Sequence, residues 1–343
     1  MRRFRNEEDL EDYLAQPTAP DLEAAQALEG DIVLLGAGGK MGPTLALRIK
    51  RALDAVGKPN AVLALSRFSD AATAERLTKA GVKIVSHDLL SEAPSSLAPL
   101  PAAPNVIFLA GRKFGSSGQP GLTWMMNVVA PARVAQAYRE SRMVVLSSGN
   151  IYPLRPVNEG GANEQTPVAP VGEYAQTVLG RERIFEYFAE ANQTPVVMIR
   201  LNYAVEPRYG VIVDIAEKIW RGETVDLTMG YLNAIWQGDA NSVVFRALAM
   251  ASPTAPRLNL TGLEILSVRE LALQLADRLG KGVEFSGTEA PTALLNDARA
   301  CAERFGPPLT PIEAVLDSTA QWMLDGHVRL GKPTHFETRD GKF

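Results

Sequence analysis

Four glycines fall within seven residues in the segment Gly36-Ala37-Gly38-Gly39-Lys40-Met41-Gly42. The segment closes the apolar run IVLL at 32–35 and opens MGPTLALRIKRAL, whose apolar residues recur at helical spacing. A short apolar run ending in glycine reads as a buried strand, and glycine lets the backbone turn sharply at its end. Such a strand–turn–helix unit offers the free N–H groups of a helix N-terminus to an anion. The segment therefore predicts a dinucleotide pyrophosphate seated on Gly36, Gly39, Lys40, Met41 and Gly42. The spacing is GxxGxxG rather than GxGxxG.

The same alternation continues along the chain. AVLALSR, VKIVSHDL, NVIFLAG, RMVVLSSG and PVVMIRLN are further apolar runs, separated by helical stretches such as DAATAERLTKAG. Strands alternating with helices indicate βαβ units. The expected fold is α/β: a Rossmann-type doubly wound parallel sheet with a smaller C-terminal substrate-binding lobe. Residues 1–30 read as an acidic, mostly helical extension broken at Pro17–Pro20. Residues 31–203 read as the dinucleotide-binding domain. Residues 204–330 read as a mixed α/β lobe interleaved with it, helical near 210–221, 239–251, 267–280 and 293–305. Residues 331–343, GKPTHFETRDGKF, read as a polar surface tail in which His335 is placed to reach a pocket mouth or a neighbouring subunit.

Composition excludes several classes. With 35 Lys+Arg against 39 Asp+Glu the net charge is −4, without the basic surplus of a nucleic-acid protein. No run of about 18 apolar residues exists to span a membrane, and MRRFRNEEDL lacks the apolar core of a secretory signal. The single cysteine, Cys301, permits no internal disulfide and fits a cytoplasmic location. His87, His327 and His335 are too scattered to suggest a metal cluster.

The end of the second strand meets the adenosine ribose of a bound dinucleotide. A carboxylate there binds the 2′-hydroxyl of NAD, whereas an arginine accommodates the 2′-phosphate of NADP. This chain has Ser66-Arg67, so NADP is preferred over NAD.

GAGGKMG, Asp88-Leu89, LAG at 109–111, NVVAPARVAQAY at 127–138, LSSGNIYP at 146–153 and EYAQTVLGRE at 173–182 occur in a telling order. Together they resemble the extended short-chain dehydrogenases, of the NAD-dependent epimerase/dehydratase type, over roughly residues 31–265. The resemblance implies that Asp88 and Leu89 flank the adenine, and that Ala110 and Gly111 line the cofactor groove. It implies that Ser148 orients the reacting hydroxyl and that Tyr174 is the acid/base, also touching the cofactor. Asn150, Tyr152, Asn202, Tyr203 and Trp236 fall near the expected substrate pocket, with Tyr231, Asn233 and Gln237 as further lining candidates. A homodimer is implied as well, packed through two helices of which one carries Tyr174.

The chain departs from the family at three points. The pattern Tyr-x-x-x-Lys becomes Tyr174-x-x-x-Val178, removing the cation that depresses the tyrosine pKa. Either another cation substitutes, with Lys113 and Arg181 the candidates, or little deprotonation is needed, or turnover has been lost. The Asp-Glu pair of the dehydratases is replaced by Gly149-Asn150, which argues against a sugar-nucleotide 4,6-dehydratase. Finally, no Lys or Arg occurs between Arg221 and Arg246, where the family's sugar-nucleotide enzymes place a diphosphate clamp. An unpaired diphosphate in a partly dry pocket is costly. The sequence thus points to an NAD(P)-dependent oxidoreductase or epimerase acting on a small carbohydrate or sugar acid without a nucleotide diphosphate. The alternative is an NAD(P)-binding sensor or regulator that has lost catalysis.

Overall fold

The computed structural model describes residues 3–90 and 100–342; residues 1–2, 91–99 and 343 lie outside them. Seven strands form the central sheet: β1 (Ile32–Leu35), β2 (Val62–Ser66), β3 (Lys83–Ser86), β4 (Asn105–Phe108), β5 (Arg142–Ser148), β6 (Val196–Leu201) and β7 (Arg257–Leu260). They run parallel in the order β7-β6-β5-β4-β1-β2-β3. β1 sits between β2 and β4, with Val33 opposite both Leu63 and Val106.

Both faces of the sheet are covered, which is why its strands read as continuous apolar runs. Successive residues of β1 point to opposite faces. Ile32 and Leu34 pack with Leu45 and Ile49 of α3 (Gly42–Ala55), while Val33 and Leu35 pack with Val134 and Phe185 on the other side.

The remaining helices are α1 (Glu7–Leu14), α2 (Ala19–Ala27), α4 (Ala71–Lys79), α5 (Pro120–Trp124), α6 (Ala130–Ala137), α7 (Gly172–Asn192), α8 (Val211–Arg221), α9 (Gln237–Arg246), α10 (Val268–Leu279), α11 (Arg299–Phe305) and α12 (Ile312–Leu324). A π-helical turn, Met125–Val129, joins α5 to α6. Helices α8, α10 and α12 pack around a second core containing Ile212, Ile215, Leu275 and Trp322. β7 lies within the span expected to form the smaller lobe, yet it extends the main sheet beside β6. Helix α11 begins only at Arg299. The preceding Thr292–Ala293 pairs with Arg155–Pro156, and Asn233 Oδ1 accepts the Asn296 N–H at 2.9 Å, so those residues are held extended. No described helix is long and apolar enough to cross a membrane.

Both ends of the chain are integral. Phe4, Leu10 and Leu14 enter the second core, whereas Ala25 and Leu28 join the sheet core. Between them the fully buried Asp21 accepts from Arg48 Nε at 2.9 Å and from Ser242 Oγ at 2.7 Å, binding α2 to α3 and α9. The C-terminal residues also differ from a surface tail: Phe336 and Thr334 are 1% and 2% exposed. The Thr334 N–H and hydroxyl donate to Asp214 Oδ2 at 2.7 and 2.5 Å, and Leu330 N donates to Arg208 O at 3.0 Å. Further on, Gly341 crosses Gly172 at the start of α7; a Cβ on Gly341 would lie 2.6 Å from the Val171 carbonyl carbon. These residues form a strap from the second core back to the sheet domain.

Removing one partner of a buried ion pair leaves the other uncompensated. Asp21→Ala is therefore expected to lower unfolding free energy by about 3–5 kcal/mol, read from urea denaturation. A loss under about 1 kcal/mol, the ordinary range for an exposed pair, would refute the role given to Asp21.

Candidate active site

The site forms where β1, β4, β5 and β6 end. Gly36 leaves β1 with φ +87°, and both Gly36 N and Ala37 N donate to Leu65 O of β2, at 2.8 and 3.1 Å. A Cβ on Gly36 would lie 2.6 Å from Ala110 N, so only glycine lets the turn pass this close to the end of β4. Helix α3 then starts at Gly42, and Met41 provides no side-chain cap. The first amide groups of a 14-residue helix thus face the groove without a capping side chain, as a pyrophosphate requires. On these observations the turn fits a dinucleotide.

Two cavities flank the turn and share Gly36, Gly39, Leu109 and Gly111, forming one groove along the sheet edge. The cavity on the β2 side, about 340 Å³, is lined by Ser66, Arg67, Asp88, Leu89 and Ala110 among others. The cavity over β5 and β6, about 260 Å³, is lined by Lys40, Met41, Gly42, Lys113, Ser148, Asn150, Tyr174, Arg181, Asn202 and Tyr203. Most residues singled out from the sequence therefore meet along one groove.

Two do not. Tyr152 is turned away into a buried network: its hydroxyl accepts from Arg200 Nη1 at 2.6 Å and donates to Asn259 Oδ1 at 3.0 Å. Arg200 in turn is clamped on Glu182, which also accepts from Ser147 Oγ at 2.5 Å. Trp236 is buried against Phe4 and Tyr13 of the N-terminal segment, with ring centroids 6.5 and 6.1 Å away. Tyr231, Asn233 and Gln237 do not line the groove either; Gln237 Nε2 donates to Thr44 Oγ1 at 3.2 Å and Asn233 Nδ2 to Glu264 O at 2.8 Å.

Ser148 ends β5, and its Oγ accepts the Asn150 N–H at 3.2 Å and donates to Asn150 Oδ1 at 3.0 Å. Tyr174 lies in the first turn of α7, half-buried. One helical turn on, Val178 is buried in an apolar cluster with Ile151, Tyr152 and Ala162, so charge enters from elsewhere. Arg181, almost two turns from Tyr174, reaches the cavity floor. Its Nη1 donates to Leu146 O at 2.8 Å and its Nη2 to Asn127 Oδ1 at 2.9 Å. Burial lowers its pKa, opposed by the charges of Tyr174 and Glu182.

Lys113 approaches from the loop after β4. Its Nζ donates to Thr334 O at 3.3 Å and lies 5.8 Å from the Tyr174 ring centroid. Burial pushes it down to about 8, with Asp214 opposing. Lys40 Nζ donates to Ala204 O at 2.5 Å and sits 3.7 Å over the Tyr209 ring; burial pulls it down to about 7, opposed first by Glu206. The described residues lining this cavity include these three cations and no carboxylate.

Sequence reasoning gave no role to Asn127, Tyr209 or Thr334. Asn127 stands in the π-helical turn and is fully buried; it accepts from Arg112 N and donates to Arg112 O and Thr177 Oγ1, besides holding Arg181. A lone asparagine within the apolar stretch MMNVV was the available signal. Tyr209 and Thr334 reach the cavity from segments remote in sequence.

The family model described as NAD dependent epimerase/dehydratase family matches residues 32–235. This chain belongs to that family. No curated protein matches it. Among solved structures it is similar to a UDP-glucuronic acid 4-epimerase from Bacillus cereus in complex with NAD, at 16% identity and a TM-score of 0.71, covering 87% of this chain and 99% of that one. A UDP-glucose 4-epimerase from Thermus thermophilus, also with NAD, gives 19%, 0.68, 84% and 97% in the same order. A dTDP-glucose 4,6-dehydratase from Bacillus anthracis, again with NAD, gives 16%, 0.70, 86% and 97%. At these identities the likeness establishes the shared fold.

Burial draws the Lys40 pKa down to about 7, so its positive charge diminishes as pH rises through that region. NAD affinity is accordingly expected to weaken as pH rises from about 6 to about 9, measured by calorimetry, and Lys40→Met should flatten the profile. An identical slope in both proteins would exclude Lys40 as the source.

Proposed function

We propose that this chain is an NAD(P)-dependent oxidoreductase or epimerase acting on a small anionic carbohydrate, such as a sugar acid, without a nucleotide diphosphate. The observation that carries this reading is the meeting of Ser148, Tyr174, Lys40, Lys113 and Arg181 in one cavity beside the glycine turn. A carboxylate-free wall with three cations suits a substrate carboxylate. The cavity's cations all come from the sheet domain. The segment after Arg221 contributes no Lys or Arg before Arg246, which favours a substrate lacking a diphosphate.

The amides around Gly39–Gly42 would hold the pyrophosphate, and Arg67 the 2′-phosphate that makes NADP the preferred cofactor. A bound nicotinamide supplies the hydride acceptor. Ser148 Oγ holds the reacting substrate oxygen, and Tyr174 Oη takes its proton. Arg181 and Lys113 are cations that share the cavity with Tyr174, where the lysine of the family pattern is absent at Val178. The sensor alternative draws on that same Val178, sealed in an apolar cluster.

The test pairs Tyr174→Phe with a substrate panel of aldonic acids, uronic acids, free sugars and UDP-sugars, followed by nicotinamide absorbance and epimer analysis. Turnover of a sugar acid is expected. Tyr174→Phe should reduce it by about 100-fold or more while leaving cofactor affinity nearly intact. Turnover restricted to UDP-sugars would overturn the substrate class. Tight cofactor binding with no turnover of any member would favour the sensor.

The chain is also proposed to be a cytoplasmic homodimer. Its lone cysteine is buried, as a reduced thiol in a reducing compartment can be. Trp124 and Leu122 on α5 and Tyr187 on α7 are 42%, 40% and 65% exposed, placing large apolar side chains on the outside of both helices. Sedimentation should show a dimer that Tyr187→Glu dissociates; a monomeric wild type would refute this.

A further inference from the structure

We propose that the C-terminal strap completes the cofactor site, with Lys332 joining Arg67 to grip the 2′-phosphate of NADP. This rests on the NADP reading above and adds a specificity-determining residue from the far end of the chain. Arg67, Ser69, His87 and Lys332 line the same cavity of about 340 Å³ on the β2 side of the glycine turn. Asp88 is its carboxylate, and one of its oxygens accepts the Leu90 N–H at 3.0 Å.

Arg67 and Lys332 are both exposed, and among the described residues neither has an ion pair or side-chain hydrogen bond. The other cations of the strap are engaged. Arg329 pairs with Glu217, Arg339 donates to Thr228 O and to Thr292, and Lys342 pairs with Asp340 at 3.0 Å. Lys332 stands out as the strap cation that lines the groove without an ion pair.

Its backbone is held on both sides. Two residues before it Leu330 N donates to Arg208 O, and two residues after it Thr334 is fixed on Asp214. Pro333 further restricts the chain between these anchors. Lys332 thus lines the groove from a short, tethered segment rather than from a loose end. A phosphate dianion between an arginine and a lysine receives a planar fork from one and a point charge from the other. Because Thr334 lines the neighbouring cavity, cofactor choice and the shape of the substrate end share one piece of chain.

Calorimetric titration of NADP and of NAD into the full chain, Lys332→Ala and Arg67→Ala tests this. Both positions are exposed, and circular dichroism checks that the variants keep the fold. Lys332→Ala is expected to weaken NADP binding by about tenfold and NAD binding by less than about twofold. The NADP affinity of the variant should also fall less steeply with salt. If Lys332→Ala affects both cofactors alike, or neither, while Arg67→Ala still loses NADP selectively, the strap proposal is wrong and the NADP reading stands. If the wild type prefers NAD and Arg67→Ala changes both affinities equally, the NADP reading has failed and Lys332 falls with it.

Discussion

At the end of β1 the backbone of Gly36 passes beside the end of β4 at a separation that leaves no room for a Cβ. That contact sets where the chain turns, and hence where α3 begins and which amides point into the groove. The sheet edge supplies the other walls: β2 ends at Ser66, β5 at Ser148 and β6 at Leu201, each beside the same turn. Ligands of open α/β sheets gather at these carboxyl ends because the loops there diverge from a rigid platform.

Val178 leaves the turn after Tyr174 without a charge, and two cations reach the same cavity from elsewhere. Residues seven apart on a helix share a face, so Arg181 projects to the side that Tyr174 occupies. An arginine is longer than the lysine it would replace, and here its guanidinium is anchored by Leu146 O and Asn127. The π-helical turn is what brings Asn127 to that position. Lys113 enters from the loop after β4, braced by the strap. A buried lysine is poised between charged and neutral more finely than an arginine, so the two cations respond differently to pH.

The sheet was legible because each strand is an apolar run bounded by helix or turn signals, and the groove because the glycine turn fixes its centre. The substrate wall was less so. Tyr152 and Trp236 are the kind of residue that lines a pocket, but a partner decides where such a side chain faces. Tyr152 is claimed by Arg200 and Asn259, and Trp236 by Phe4 and Tyr13. The latter pairing joins residues over two hundred positions apart, beyond any local pattern. The C-terminal tail was misread for a related reason: it is polar in composition, yet Phe336 docks it in a core built from distant helices.

The crossing of Gly341 over Gly172 has a consequence for biosynthesis. The acid/base candidate Tyr174 sits two residues into a helix whose entrance is bounded by backbone made more than 160 residues later. The sheet can assemble as the chain emerges from the ribosome, since most of its strands precede residue 202. The wall of the groove is complete only once the strap has docked. Without the docked strap, the groove would lack the part of its wall that Lys332 and Thr334 supply.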